Sequence, residues 1–498
     1  MFNILLFVAY FAVLAVLSLY GLHRANLAAL TFRYAKRMRA LRRGPEQKVA
    51  DADLPHVTVQ LPLYNEATVA ARLLECVAKF EYPRDRLEIQ VLDDSSDETQ
   101  AISKKCVEQM RKQGIDAVYV RRPDRVGYKA GALDYGLRRA KGELVAMFDA
   151  DFIPQPEFLK AIVGEFQDPT VGMVQARWGH MNRDHSLLTK VQALMLDGHH
   201  LVENRARFAA GRLFNFSGTG GMWRRAAIDD AGGWQHDTLT EDLDLSYRAQ
   251  LKGWRFVYRE DVMTPAELPE DVSSLRAQQY RWAKGTVQTA RKLLGRVLTS
   301  HLSLPQRIEA LFHLTPHFAY PLMVLLSVLL LPALILSPAT DGWTMLMIDL
   351  PLCMGTTGSL AVFYCLAETA QGRKASSAVV RLPALIAVGI GMAPHLTRAV
   401  WDGLHSMAGE FVRTPKKGEV AGRYRAYTNL PFAEAGLGML SACSVVAAIQ
   451  TGHWFAAPFA MLFTFGYGYV SALVLLEQGA RRRLVAARQS EQLPAATA

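Results

Sequence analysis

Leu144-Val145-Ala146-Met147-Phe148-Asp149-Ala150-Asp151-Phe152 is an apolar run that stops at two carboxylates. A short apolar run bounded by polar signals is the pattern of a strand buried on both faces. Side chains two apart in an extended segment point to the same face, so Asp149 and Asp151 are placed to share one hard divalent cation, Mg2+ or Mn2+. Two protein carboxylates leave such an ion open positions for phosphate oxygens. A D-x-D pair arises by chance in many chains. Its place at the end of an apolar strand is what gives it weight.

Outward from that run, the same unit repeats. His56–Leu63, Leu87–Leu92, Ala117–Arg121 and Gly172–Trp178 are further strand candidates. Between the strands, Glu66–Lys79, Asp97–Lys112, Lys129–Ala140 and Pro156–Phe166 have the amphipathic spacing of helices. Strand–helix alternation predicts an α/β domain with a mostly parallel sheet, whose ligands sit beyond the carboxyl ends of the strands. Polar clusters fall at those ends: Tyr64-Asn65-Glu66, Asp93-Asp94-Ser95-Ser96-Asp97 and Asp149-Ala150-Asp151. Lys129 opens a helix in Gly127-Tyr128-Lys129-Ala130-Gly131-Ala132, and a helix N-terminus with a lysine suits a diphosphate.

Two later motifs read two ways. In Thr240-Glu241-Asp242 the spacing Thr238-x-x-Glu241 fits a capping box, and acids in a first turn complement the helix dipole. Asp242 is equally a candidate general base. Gln278-Gln279-Tyr280-Arg281-Trp282 lies on an amphipathic stretch just before the apolar half of the chain. Its Trp and Arg suit a membrane-interface anchor, or a stacking ring and a diphosphate-binding guanidinium.

The chain has 498 residues, 50% apolar and 20% charged, with a formal net charge of +10. Charge is dense from Arg24 to Arg296 and sparse from Thr315 to Glu477. That segregation excludes a disordered chain, a disulfide-stapled one and a fully soluble enzyme. Five spans are predicted: Phe2–Tyr20, His317–Leu336, Trp343–Ala367, Leu430–Gln450 and Trp454–Leu476. Basic residues from Arg24 to Lys48 follow the first span, which places the N-terminus outside and the next domain in the cytosol. Leu382–His395 is short and interrupted by Pro383 and Pro394, and reads as an interfacial or re-entrant helix. The expected divisions are an anchor at 1–22, a basic segment at 23–50, a catalytic domain at 51–300, a membrane unit at 301–478 and a tail at 479–498. Asp349 and Glu434 read as a polar path through the bundle, or as satisfied acids near the interface. The five cysteines have no paired spacing, so neither a disulfide framework nor a zinc site is expected. Juxtamembrane basic residues that meet anionic headgroups account for much of the +10 without nucleic acid.

Tyr64-Asn65-Glu66, Asp93-Asp94, Lys129-Ala130-Gly131, Asp149-x-Asp151, Thr240-Glu241-Asp242 and Gln278-x-x-Arg281-Trp282, in this order, resemble the processive family 2 glycosyltransferases of the cellulose synthase superfamily. Leu92–Asp97, Gly127–Leu133, Phe148–Phe152 and Val174–Trp178 are most similar to the plant cellulose-synthase-like mannan and glucomannan synthases. Short prokaryotic β-glycan synthases look alike. Phe411-x-x-Thr414-Pro415-Lys416 resembles the family's gating loop, F-x-V-T-x-K, with Arg413 where valine is expected.

The resemblance implies an α/β GT-A-type, Rossmann-like glycosyltransferase domain, cytosolic and inserted in an α-helical multi-span membrane domain. It implies that Tyr64, Glu66 and Asp94 hold the base and ribose, with Asp93 as a helper. Lys129 would meet the diphosphate, and Asp149 and Asp151 would hold Mg2+ or Mn2+. Asp242 would deprotonate the acceptor, beside Glu241, while Gln278, Arg281 and Trp282 bracket the donor sugar and the chain end. Ser217, Gly218 and Thr219 would line the acceptor, and Phe411, Thr414 and Lys416 would close over the donor. The implied reaction is inverting β-transfer from GDP-mannose or UDP-glucose to a growing polysaccharide, a β-mannan, glucomannan or β-glucan. Export through the spans follows, with membrane lipids and accessory export proteins as further partners, in a bacterial inner membrane or a Golgi or plasma membrane. The alternative is a transferase that adds one sugar to a membrane lipid.

Overall fold

A computed structural model describes residues 1–38, 49–336, 357–407, 409 and 431–492. Its strands are β1 (Val57–Leu63), β2 (Leu87–Asp93), β3 (Asp116–Val120), β4 (Leu144–Met147), β5 (Val171–His180), β6 (Gly221–Arg224) and β7 (Arg255–Ala266). They form one sheet in the order β3-β2-β1-β4-β6-β5-β7. β1 pairs in parallel with β2 and β4, and β2 with β3. Helices Ala70–Val77, Thr99–Lys112 and Tyr128–Leu137 make the crossovers. Leu73 and Leu74 pack with Val57, Val59 and Leu61 on one side of the sheet. Leu133 and Trp223 pack with Val145 and Met147 on the other. Burial on both faces is why β1, β2 and β4 read as near-continuous apolar runs.

The last two strands depart from the sequence reading. β6 lies between β4 and β5 and is antiparallel to both. It has four residues, too few to show a period. β7 pairs in parallel with β5 through two register shifts, and its Arg255, Arg259, Glu260 and Asp261 hide any alternation.

Five helices among the described residues are long and apolar enough to cross a membrane: Asn3–Arg33, Pro316–Leu336, Ala375–His405, Phe432–Gln450 and Ala457–Ala480. Their membership differs from the expected set. Leu382–His395 is not a short separate segment: Ala375–His405 is one helix of 31 residues that runs through Pro383 and Pro394. Neighbouring helices make such prolines tolerable, because their packing offsets the lost backbone bonds. From the expected span Trp343–Ala367, helix Ser359–Ala370 is described. Residues 343–356, with Asp349 and Cys353, lie outside the described residues, as do Phe411, Thr414 and Lys416. Cys76, Cys106, Cys365 and Cys443 are free thiols.

The helix that carries Gln278, Arg281 and Trp282, Val272–Thr299, is held by the apolar helices. The backbone N–H groups of Val272 and Ser273 donate to the Glu477 carboxylate at 2.6 and 3.2 Å. Arg276 pairs with Glu434 at 2.8 Å, both buried. Glu434 therefore has the satisfied-acid reading of the two the sequence offered. Tyr280 donates its hydroxyl to Asp402.

Candidate active site

Clusters far apart in sequence meet in one cleft beyond the carboxyl ends of β1, β2 and β4. Tyr64, Glu66, Asp94, Lys129, Asp149, Asp151, Gly218, Glu241, Asp242, Gln278, Arg281 and Trp282 line it. Ser217, Arg125 and Trp178 line it as well.

The acid pair sits in a turn, not in the extended segment that the sequence suggested. β4 ends at Met147, and the Phe152 N–H closes the turn on the Asp149 carbonyl at 3.1 Å. The two side chains still share the cleft wall. Thr219 braces this turn from behind: its Oγ1 accepts the Asp149 N–H at 2.9 Å, and its carbonyl accepts from Gln175 and Trp178. Thr219 is fully buried, so the turn presents Ser217 and Gly218 to the cleft instead.

Lys129 opens the Tyr128–Leu137 helix. Its Nζ pairs with Asp149 Oδ1 at 2.6 Å and donates to the Gly218 carbonyl at 2.9 Å. Burial disfavours its charge, but Asp149, Glu241 and Asp242 outweigh burial and raise its pKa. Asp242 experiences the converse. Burial, then the neighbouring Glu241 charge, push its carboxyl up to about 7, against the opposing pull of Lys129. Glu241 is raised by burial as well. A carboxyl tuned to that range fits a base that operates near neutral pH.

The capping box expected at Thr238 is not formed. The helix is Glu241–Leu251, its N-cap is Thr240, and that residue makes no side-chain cap. The Thr240 hydroxyl turns instead to Thr289 at 3.1 Å.

Gly218 fixes how closely the two halves of the site approach. Its φ is +81, and a Cβ there would stand 2.9 Å from Asp242 Oδ2. Glycine adopts that conformation without steric cost and leaves the carboxylate its space. Gly285 does the same for the Val272–Thr299 helix: a Cβ would meet the Thr240 backbone N at 2.8 Å.

At the other end of the cleft, Arg122 forms a two-pronged pair with Asp94. The Arg125 guanidinium stacks over the Tyr64 ring, 3.3 Å from its centroid. Asp93 is fully buried and accepts the Ser95 N–H at 2.9 Å, so it supports the loop without lining the cleft. Sequence reasoning missed Arg122 and Arg125. Their signal was the basic run Arg121–Arg125 after β3, a pattern that more often marks a solvated loop.

The donor set fits a hard divalent cation. Among the described residues no group of three or more His, Cys, Asp or Glu forms a protein cage. Asp149 and Asp151 both line the cleft, and two carboxylates that leave positions open to phosphate oxygens and water suit Mg2+ and Mn2+.

Residues 55–285 match the family described as Glycosyltransferase like family 2. Glucomannan 4-beta-mannosyltransferase 2 of Arabidopsis thaliana is 41% identical over 259 residues, 51% of this chain and 48% of that protein. Glucomannan 4-beta-mannosyltransferase 7 of the same plant is 34% identical over 347 residues, 66% of this chain and 62% of that protein. The chain thus spans from about half to less than two thirds of the length of these relatives. A solved structure, the mannosyltransferase PcManGT from Pyrobaculum calidifontis in complex with GDP-Man and Mn2+, has a TM-score of 0.50 at 23% identity. It covers 71% of this chain and 98% of its own, a likeness of fold.

Proposed function

We propose, for a chain that carries a family 2 glycosyltransferase domain over residues 55–285, that it is a membrane-embedded inverting β-mannosyltransferase. The donor is GDP-mannose, and the product is a β-linked mannan or glucomannan. The observation that carries this reading is the junction at Gly218. Its carbonyl binds Lys129, the partner of Asp149, and its Cα borders the Asp242 carboxylate. Diphosphate-binding and proton-accepting groups are thereby one residue apart. The activity in the names of the curated relatives supports the mannosyl donor.

The acceptor hydroxyl attacks the anomeric carbon as the bond to the diphosphate breaks, and its proton passes to the Asp242 carboxylate. One displacement inverts an α-linked donor to a β-linked product. A divalent cation bound at Asp149 and Asp151 supplies positive charge for the departing diphosphate. Lys129 and Arg281 add to that charge from the protein side. A positioned base contributes about 10²–10⁴-fold. Trp282 and Trp178 line the cleft, where indole rings suit sugars, and the apolar helices among the described residues suit export of a polar chain through a protein-lined path.

The test is incubation of the purified chain with radiolabelled GDP-mannose or UDP-glucose and Mn2+, followed by product sizing and hydrolysis to monosaccharides. A ladder that yields mannose supports the reading. One stable glycolipid, or a hydrolysate that yields glucose and no mannose, refutes it.

A further inference from the structure

Gln288 lies two helical turns beyond the Gln278–Trp282 motif and is fully buried. It is not among the residues that line the cleft, and its carboxamide spans two elements. Its Oε1 accepts the Leu239 N–H at 2.9 Å. Its Nε2 donates to the Ser406 carbonyl at 2.9 Å. Leu239 stands two residues before Glu241, where the helix with Asp242 begins. Ser406 is the C-cap of the apolar helix Ala375–His405, whose last carbonyls have no partner within the helix.

The surrounding contacts repeat the same alignment. Gly285, one turn earlier, lets the helix backbone approach Leu239 and Thr240, where any Cβ would collide with main-chain atoms. Thr289 meets the Thr240 hydroxyl. Lys292, one turn later, pairs with Asp237 at 2.7 Å and Asp244 at 2.9 Å. One face of the Val272–Thr299 helix thus grips residues 237–244 from both ends. Of its members, Gln288 joins that segment to an apolar helix through a single side chain. A carboxamide is suited to the place, because it accepts from an N–H and donates to a carbonyl at once.

We propose that Gln288 is a positioning residue for the transfer reaction: it fixes the Asp242 carboxylate relative to the donor-binding residues on its own helix, with the Ala375–His405 helix as the outer anchor. The proposal rests on the reading of Asp242 as the base. It assigns Gln288 no contact with substrate. Loss of the carboxamide takes the partner from the Leu239 N–H and the Ser406 carbonyl, both in half-buried residues, and the segment shifts to find other partners. Shifts on the scale of an ångström cost turnover steeply while ground-state binding is retained.

The experiment compares full-length wild type, Gln288→Leu, Gln288→Glu, Asp242→Asn and the Asp242→Asn/Gln288→Leu double variant in detergent. Single-turnover transfer from radiolabelled GDP-mannose and equilibrium GDP binding are measured in parallel. Gln288→Leu should lower turnover about tenfold with GDP affinity within about twofold. Gln288→Glu should recover part of the loss, since its carboxyl still accepts the Leu239 N–H. The double variant should be no slower than Asp242→Asn, because two residues that act as a unit do not add. A further tenfold loss in the Asp242→Asn background, or GDP binding that falls in step with turnover, overturns the proposal and makes Gln288 structural. Full turnover in Gln288→Leu overturns it as well. Full turnover in Asp242→Asn would instead remove the reading on which it rests.

Discussion

Lys129 Nζ stands 2.6 Å from Asp149 Oδ1, so a lysine already neutralises a carboxylate of the candidate metal pair. A divalent cation that approaches Asp149 and Asp151 must share that carboxylate with a fixed positive charge. A nucleotide diphosphate that arrives with the cation gives Lys129 another anion to bind. The pair therefore favours joint entry of cation and nucleotide over entry of the cation first. Lys129→Met should bind Mn2+ about tenfold more tightly than wild type in the absence of nucleotide, while its GDP affinity falls. The free Mn2+ signal in electron paramagnetic resonance reads this directly. Weaker Mn2+ binding in Lys129→Met would contradict the account.

Gly218→Ala adds a methyl group 2.9 Å from Asp242 Oδ2, at a φ of +81. Displacement of the carboxylate should lower turnover by about 10² or more, with GDP binding retained. Steady-state kinetics beside a nucleotide-binding isotherm would check it. Near-normal turnover would mean that the carboxylate has more room than the cleft shows.

Asp242 must be ionised to accept a proton, and its carboxyl is raised to about 7 by burial and Glu241. Turnover over KM should therefore rise with pH through about 7 and level above it. An acid limb near 4 would exclude Asp242 as the titrating base. The stability consequence has the opposite sign. The folded state holds this proton more tightly than the unfolded chain, so the group's stabilising effect is present below about pH 4 and lost as pH rises to about 7. Asp242→Asn should melt higher than wild type at pH 8, and the gap should close toward pH 4.

Arg276 and Glu434 form a buried pair at 2.8 Å between the Val272–Thr299 helix and an apolar helix. Removal of either charge strands the other, a cost of about 3–5 kcal/mol. Arg276→Met and Glu434→Gln should each melt markedly lower in detergent, and an Arg276→Met/Glu434→Leu pair should regain most of the loss. If the double variant is as unstable as the singles, the pair is not an isolated unit.

Much of the fold was legible. The strands that end at Leu63, Asp93 and Met147 read as apolar runs because the sheet buries both their faces, and the polar clusters after them fall where ligands bind such sheets. β6 was not legible: four residues carry no period, and antiparallel insertion depends on a partner more than seventy positions away. The continuity of Ala375–His405 was also hidden, since a proline's cost depends on the helices packed around it. The basic run that contains Arg122 did not by itself reveal a role, because a basic loop becomes a carboxylate clamp only when Asp94 is folded beside it.

What the sequence determined by itself is chemical: the residue types, their order along the chain, and the division into charged and apolar halves. Those properties are local, set by side-chain chemistry and the two periodicities of regular backbone. What the tertiary structure decided is proximity. Lys129, Gly218 and Asp242 span more than a hundred positions, and whether they touch depends on loop closure, helix packing and the absence of a Cβ at one glycine. The raised pKa of Asp242 belongs to the same class, because burial and the field of neighbouring charges exist only after the chain has closed around them.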